Sequence, residues 1–151
     1  MSESASVPPM LNKVMKIILR SPLHKVISKN ILLITFTGRK SGQTYTTPVS
    51  YAQRGDQVFI FTHANWWKNI RGGALVTLRL QGRDVQGMAD AVAENKDAIA
   101  AELAAHLKNS PFDAKYYDVT FDEDGTPKAD EIKRAVQTVV MIQAQLNGAA
   151  R

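Results

Sequence analysis

Residues 31–51 read ILLITFTGRKSGQTYTTPVSY, and the fold follows from this stretch. Ile31 to Thr37 is a short apolar run rich in β-branched residues, which predicts a buried strand that Gly38 stops. Gly38 to Gln43 (GRKSGQ) reads as a turn held between two glycines, and Thr44 to Ala52, rich in Thr and Tyr, as the returning strand. Further on, Arg54-Gly55-Asp56 turns the chain and Gln57 to Thr62 (QVFIFT) is a third strand. Asn65 is placed to cap a short helix, Trp66 to Arg71, which Gly72-Gly73 would end. Leu75 to Leu80 alternates as a fourth strand, Gln81 to Asp84 turns, and Val85 to Val92 is a fifth. Short strands joined by tight glycine turns predict a closed antiparallel sheet, a small barrel.

The flanks add helices, which makes the class α+β. The Ala-rich stretch from Glu94 to Lys108 is predicted helical, with Ile99, Leu103 and Leu107 on one side. Tyr116 to Phe121 reads as a short extended piece, Asp122 to Gly125 as a turn, and Asp130 to Ala135 as another short helix. The last apolar run, Thr138 to Leu146, suits either periodicity; its β-branched Val139, Val140 and Ile142 favour a strand that closes the sheet. Toward the N-terminus, Leu11, Val14, Met15, Ile18 and Leu19 recur at helical spacing between Lys13, Lys16 and Arg20. This basic amphipathic helix ends near Ser21-Pro22, and a second helical piece follows to Ser28. Its simplest task is to cover one end of a core; peripheral membrane contact is the sharper alternative. Residues 1–9 are expected to fray, and 10–147 to form a single domain.

Composition narrows the function classes. The chain of 151 residues has no cysteine, which excludes disulfide scaffolds, thiolate zinc sites and a cysteine nucleophile. No apolar run approaches the roughly 18 residues that span a bilayer. The polar N-terminus lacks the basic-then-apolar order of a secretory signal, so a cytoplasmic protein is expected. Charge is uneven along the chain. Met1 to Met88 carries 12 basic and 3 acidic residues, whereas Ala89 to Arg151 carries 7 basic and 11 acidic. The basic part concentrates field where an anion would be held. Nucleic acid is not predicted, because only the charge suggests it and no recognition motif is present.

The densest chemistry lies in the first hairpin. A turn offers free backbone N–H groups, and Arg39, Lys40 and Ser41 add two cations and a hydroxyl, a set that suits a phosphate. The spacing of a P-loop is absent, and a strand rather than a helix follows. A plain basic hairpin tip explains the same residues equally well from composition. His24, His63 and His106 show no metal-binding spacing, so no metal is expected, and His106 reads as a partly exposed helix residue. The acidic turn Asp122 to Gly125 lacks the alternating ligands of a calcium loop, and Asp113 and Asp118 form no recognisable carboxylate pair. Trp67 reads as core, while Trp66 is divided between core packing and ligand stacking.

The hairpin, the VFIF-type strand, the Trp-Trp-x-Asn helix and VTLRLQGR together resemble the deazaflavin-dependent nitroreductase and quinone reductase family over roughly residues 31–92. The later run YYDVTFDEDGTPKADEIKRA is also similar to it. The resemblance implies an antiparallel split β-barrel, of the pyridoxamine-phosphate oxidase-like FMN-binding kind, with an N-terminal helix and covering helices. It implies hydride transfer from reduced coenzyme F-420, an 8-hydroxy-5-deazaflavin, to a small organic acceptor such as a quinone, nitro or enone-like compound. Position by position, Arg39, Lys40 and Ser41 would face the coenzyme's phosphate and acidic tail. Thr46, Thr47, Pro48 and Val49 would run beneath the ring, and Thr62 and His63 would lie at its edge. Asn65, Trp66 and Lys68 would approach phosphate and ring, and Asn69 matches the family's helical Asn. Tyr51, His63 and Tyr116 are the candidate proton donors. The sequence departs from the family twice: Tyr45 stands where many members carry Arg, and Thr62-His63-Ala64 replaces a longer loop. These departures keep open a non-catalytic barrel that binds FMN, haem or a fatty acid. Monomer and homodimer are both compatible with the family.

Overall fold

Alternation along each strand becomes two faces in this computed structural model, which describes residues 31–147. The strands are β1 (Ile31–Thr37), β2 (Thr44–Arg54), β3 (Gln57–Thr62), β4 (Ala74–Leu80), β5 (Arg83–Val92) and β6 (Val140–Leu146). They close into an antiparallel barrel in the order β1-β2-β3-β6-β5-β4. Because strand side chains alternate with period two, Leu32, Ile34 and Phe36 of β1 point inward together. They meet Val58 and Ile60 of β3, Val76 and Leu78 of β4, and Ile142 and Ala144 of β6.

The outer face of β3 and β6 carries a second core. Phe59, Phe61 and Met141 lie under helix α1 (Lys96–Asn109) and helix α2 (Ala129–Ala135), against Ile99, Leu103, Leu107 and Ile132. The side chain of Asn95 accepts the Ala98 N–H at 3.1 Å and so starts α1. Burial of Ile99, Leu103 and Leu107 follows their four-residue spacing. No helix among the described residues is long and apolar enough to cross a membrane.

Among the described residues β2 is only partly paired on its β3 side. Thr44 to Ser50 pair with β1, but β2 and β3 pair only between Tyr51 and Arg54. Pro48, which has no N–H to give a ladder, lies in this half-paired stretch.

Several expectations change. Tyr116 to Phe121 is not an extended piece: a 3-10 helix runs from Pro111 to Tyr117, and Phe121 makes only a single bridge to Pro127. Pro111 pre-sets the helical φ, burial draws Tyr117 inward, and Asp118 ends the helix at φ 56. The helix after β3 is a 3-10 helix, Asn65–Asn69, and Asn65 does not cap it; Ala64 holds the cap position without a side-chain bond. Val136 to Thr138 forms a short 3-10 helix, and the closing strand starts at Val140. The expected N-terminal helices, their membrane contact and the frayed residues 1–9 lie outside the described residues.

Candidate functional site

The site grows from Gly38. Its N–H donates to the Gln43 carbonyl at 2.8 Å, and its own carbonyl accepts the Gly42 N–H at 2.9 Å, which closes the hairpin tip. A Cβ at Gly38 would lie 2.7 Å from Ser41 Oγ and 2.8 Å from the Tyr45 ring, so only glycine lets that ring settle here. Tyr45 is the direct β2 partner of Phe36, and the two rings stack with centroids 5.8 Å apart. Trp66 stacks on Phe36 as well, at 5.0 Å. Phe36 is buried, while Tyr45 stays 43% exposed. Ser41 Oγ lies 3.1 Å from the Tyr45 hydroxyl and accepts the Gln43 N–H at 3.1 Å.

The 3-10 helix is fastened to this tip. Asn69 Oδ1 accepts the Arg39 main-chain N–H at 2.9 Å, and Asn69 Nδ2 donates to the Trp66 carbonyl at 3.0 Å. The Arg39 guanidinium donates to the Arg71 carbonyl. Arg71 in turn sits over the Trp67 ring, 4.7 Å from its centroid. After the helix, Gly72 and Gly73 take positive φ values of 83° and 106°, and the Gly72 N–H donates to Asp90 at 2.9 Å.

Between tip and helix lies a cleft of about 500 Å³. Phe36, Tyr45 and Trp66 give it aromatic walls; Arg39, Lys40 and Lys68 give it cations. Ser41, Thr46, Thr47 and Asn69 supply the remaining polar groups, and among the described residues no carboxylate lines it. A flat ring with an anionic substituent matches these walls, and the volume lies within the range of small-ligand sites.

Of the residues singled out in the sequence, the fold brings together Arg39, Lys40, Ser41, Thr46, Thr47, Trp66 and Lys68. Pro48, Val49, Thr62, His63 and Asn65 are not among the lining residues. Val49 packs on the barrel core, and Pro48 is buried opposite Leu33. Thr62 is buried, its hydroxyl accepting the Ala64 N–H at 3.0 Å, and Asn65 is exposed. Phe36 escaped sequence reasoning as a wall of the cleft, although its register with Tyr45 follows from the length of the hairpin turn.

None of the three candidate proton donors lines the cleft. Tyr51 is buried in the barrel, receives a hydrogen bond from Gln81 at 3.4 Å, and is pushed above its ordinary pKa by burial. His63 rests 5.5 Å from the Tyr117 ring, and burial lowers its pKa. Tyr116 is 59% exposed beneath the Lys115 ammonium.

His106 is not partly exposed as expected. It is buried at 2% exposure, and its Nε2 lies 2.8 Å from Asp113 Oδ2. Asp113 also helps to raise the pKa of buried Tyr117, after burial itself, which is the larger cause. Among the described residues no group of His, Asp and Glu could hold a metal ion.

A family model described as F420H(2)-dependent quinone reductase matches residues 20–122 of this chain. No curated protein matches it. Among solved structures, one described as a domain-swapped dimer is 15% identical, with 88% of this chain and 94% of that chain covered and a TM-score of 0.52. The FAD and haem binding protein from Mycobacterium smegmatis is 12% identical, with 86% and 68% covered and a TM-score of 0.50. An F420-H2 dependent reductase is 17% identical, with 79% and 95% covered and a TM-score of 0.48. At these identities the first two likenesses concern the split-barrel fold alone.

Proposed function

The chain belongs to the F420H(2)-dependent quinone reductase family, and from that premise we propose that it is a reductase using coenzyme F-420, held in the cleft beside the first hairpin. Membership implies the cofactor. The observation that carries the location is the meeting of three stacked rings with Lys40 and Lys68 in one cleft that no carboxylate lines among the described residues.

When bound, the reduced deazaflavin supplies the hydride, so the chain needs no catalytic triad. Its residues bind, orient and shield. Lys40 and Ser41 meet the anionic part of the coenzyme from the hairpin tip, and Lys68 meets it from the 3-10 helix. Tyr45 and Trp66 offer aromatic faces to the ring system and keep water from them, while Thr46 and Thr47 offer hydroxyls along β2. The acceptor is a small organic molecule of the quinone, nitro or enone-like class, reduced in the cytoplasm.

Tyr45 stands where many members of the family carry Arg, and that favours a second reading, a barrel that only binds FMN, haem or a fatty acid. Titration of the deazaflavin, FMN and haem side by side separates the two, together with the quinone-dependent oxidation of reduced coenzyme. The reductase reading expects deazaflavin binding and turnover; tight haem or FMN binding without turnover supports the second.

A further inference from the structure

Arg39 and Lys40 are neighbours on one basic tip, and charge alone would give them the same task. Hydrogen bonds divide them. The Arg39 main chain is held by Asn69 and its guanidinium by the Arg71 carbonyl. The outer nitrogen of Arg39 lies 3.9 Å from where a Cβ of Gly72 would stand, so the side chain crosses to the far end of the 3-10 helix. Asn69 binds back to the Trp66 carbonyl. Among the described residues, the side chain of neither Lys40 nor Lys68 has a hydrogen bond or ion pair.

We propose that Arg39 and Asn69 are positioning residues: a latch that sets the gap between hairpin tip and 3-10 helix, leaving the anion to Lys40 and Lys68. This rests on the reading that the cleft holds an anionic cofactor. A guanidinium fork fixed on a carbonyl is a geometric fastener, whereas an ammonium on a flexible stem is a point charge that can follow a phosphate. Loosening the latch moves Trp66 off Phe36 and carries Lys68 with it. Arg39 therefore acts on the ligand through the shape of the cleft.

The test has two parts. The first needs no ligand. The amides of Gly38, Gly42, Ile70 and Gly73 are hydrogen-bonded within the two fastened segments, so their hydrogen exchange reports the latch. Arg39→Ala and Asn69→Ala should each raise exchange at these amides about tenfold, the size of one ordinary hydrogen bond. Lys40→Ala should leave them within about twofold. Unchanged exchange at β5 and β6 shows that the variants are folded, and Arg39→Gln stands in if Arg39→Ala is not.

The second part follows coenzyme F-420 affinity against salt. Lys40→Ala should flatten the salt dependence more than Arg39→Ala does, because it removes a direct ionic contact. Arg39→Ala and Asn69→Ala should be non-additive with each other and each additive with Lys40→Ala. The latch is overturned if Arg39→Ala leaves the four amides protected, or if it flattens the salt dependence as fully as Lys40→Ala. Absence of coenzyme binding by the unaltered protein would instead overturn the reductase reading, while the exchange result still decides the latch.

Discussion

Tyr45 does two jobs at once. Its ring covers Gly38 and stacks on Phe36, and its exposed part faces the cleft. Tyr45→Ala should therefore cost only about 1 kcal/mol of stability, the worth of a partly exposed aromatic pair, yet weaken coenzyme binding clearly; urea denaturation and a fluorescence titration measure the two effects. His63 gives a pH prediction. Burial lowers its pKa in the folded chain, so folding favours the neutral ring. That contribution is complete above the unfolded value of about 6.5 and is lost as pH falls below it. His63→Phe, which keeps a ring against Tyr117, should reduce the fall in stability on acidification; an unchanged fall would mean that other groups carry it. Family resemblance singled out His63, which does not line the cleft, whereas nothing in the sequence marked His106 as buried. Asp113 lies seven residues beyond His106 across the break at Ser110-Pro111, and no helical spacing announces such a pair.

At the scale of elements, strands were legible and short helices were not. Short apolar runs bounded by glycine turns placed β1 and β3 as the structure has them, because these strands are buried along most of their length. Tyr116 to Phe121 misled because Tyr, Val, Thr and Phe favour strands, while Pro111 and the burial of Tyr117 decided for a 3-10 helix. Nearness to the hairpin tip decides which of Thr46 to Val49 line the cleft: Thr46 and Thr47 do, while Pro48, farther along β2, is buried and Val49 packs on the core. The tip residues Arg39 to Ser41 were readable because they are contiguous. The wall made by Trp66 on Phe36 was not, since it depends on a helix arriving from another part of the chain. Helix α1 belongs to the outer core, so stability and binding should separate there. Asn95→Ala removes its N-cap and should cost about 1 kcal/mol, seen in urea denaturation, with coenzyme affinity unchanged.

For the whole molecule, the charge division has a spatial counterpart. The basic part of the chain builds β1 to β4 and the cleft; the acidic part builds the cover of α1, α2 and the 3-10 helix from Pro111. A barrel core holds the cleft walls, and a separate outer core seats that cover. Coenzyme affinity should accordingly fall as ionic strength rises, since the cleft's cations are exposed and screened. Central to the proposed function is the grip of a flat anionic redox cofactor between the first hairpin and the helix that follows β3. The most direct measurement is an NMR titration of the isotope-labelled protein with coenzyme F-420. Saturable shifts should appear at the amides of residues 38–47 and 65–73, with those of α1 little changed. Saturation without shifts at the hairpin tip, or no shifts at all, would contradict it.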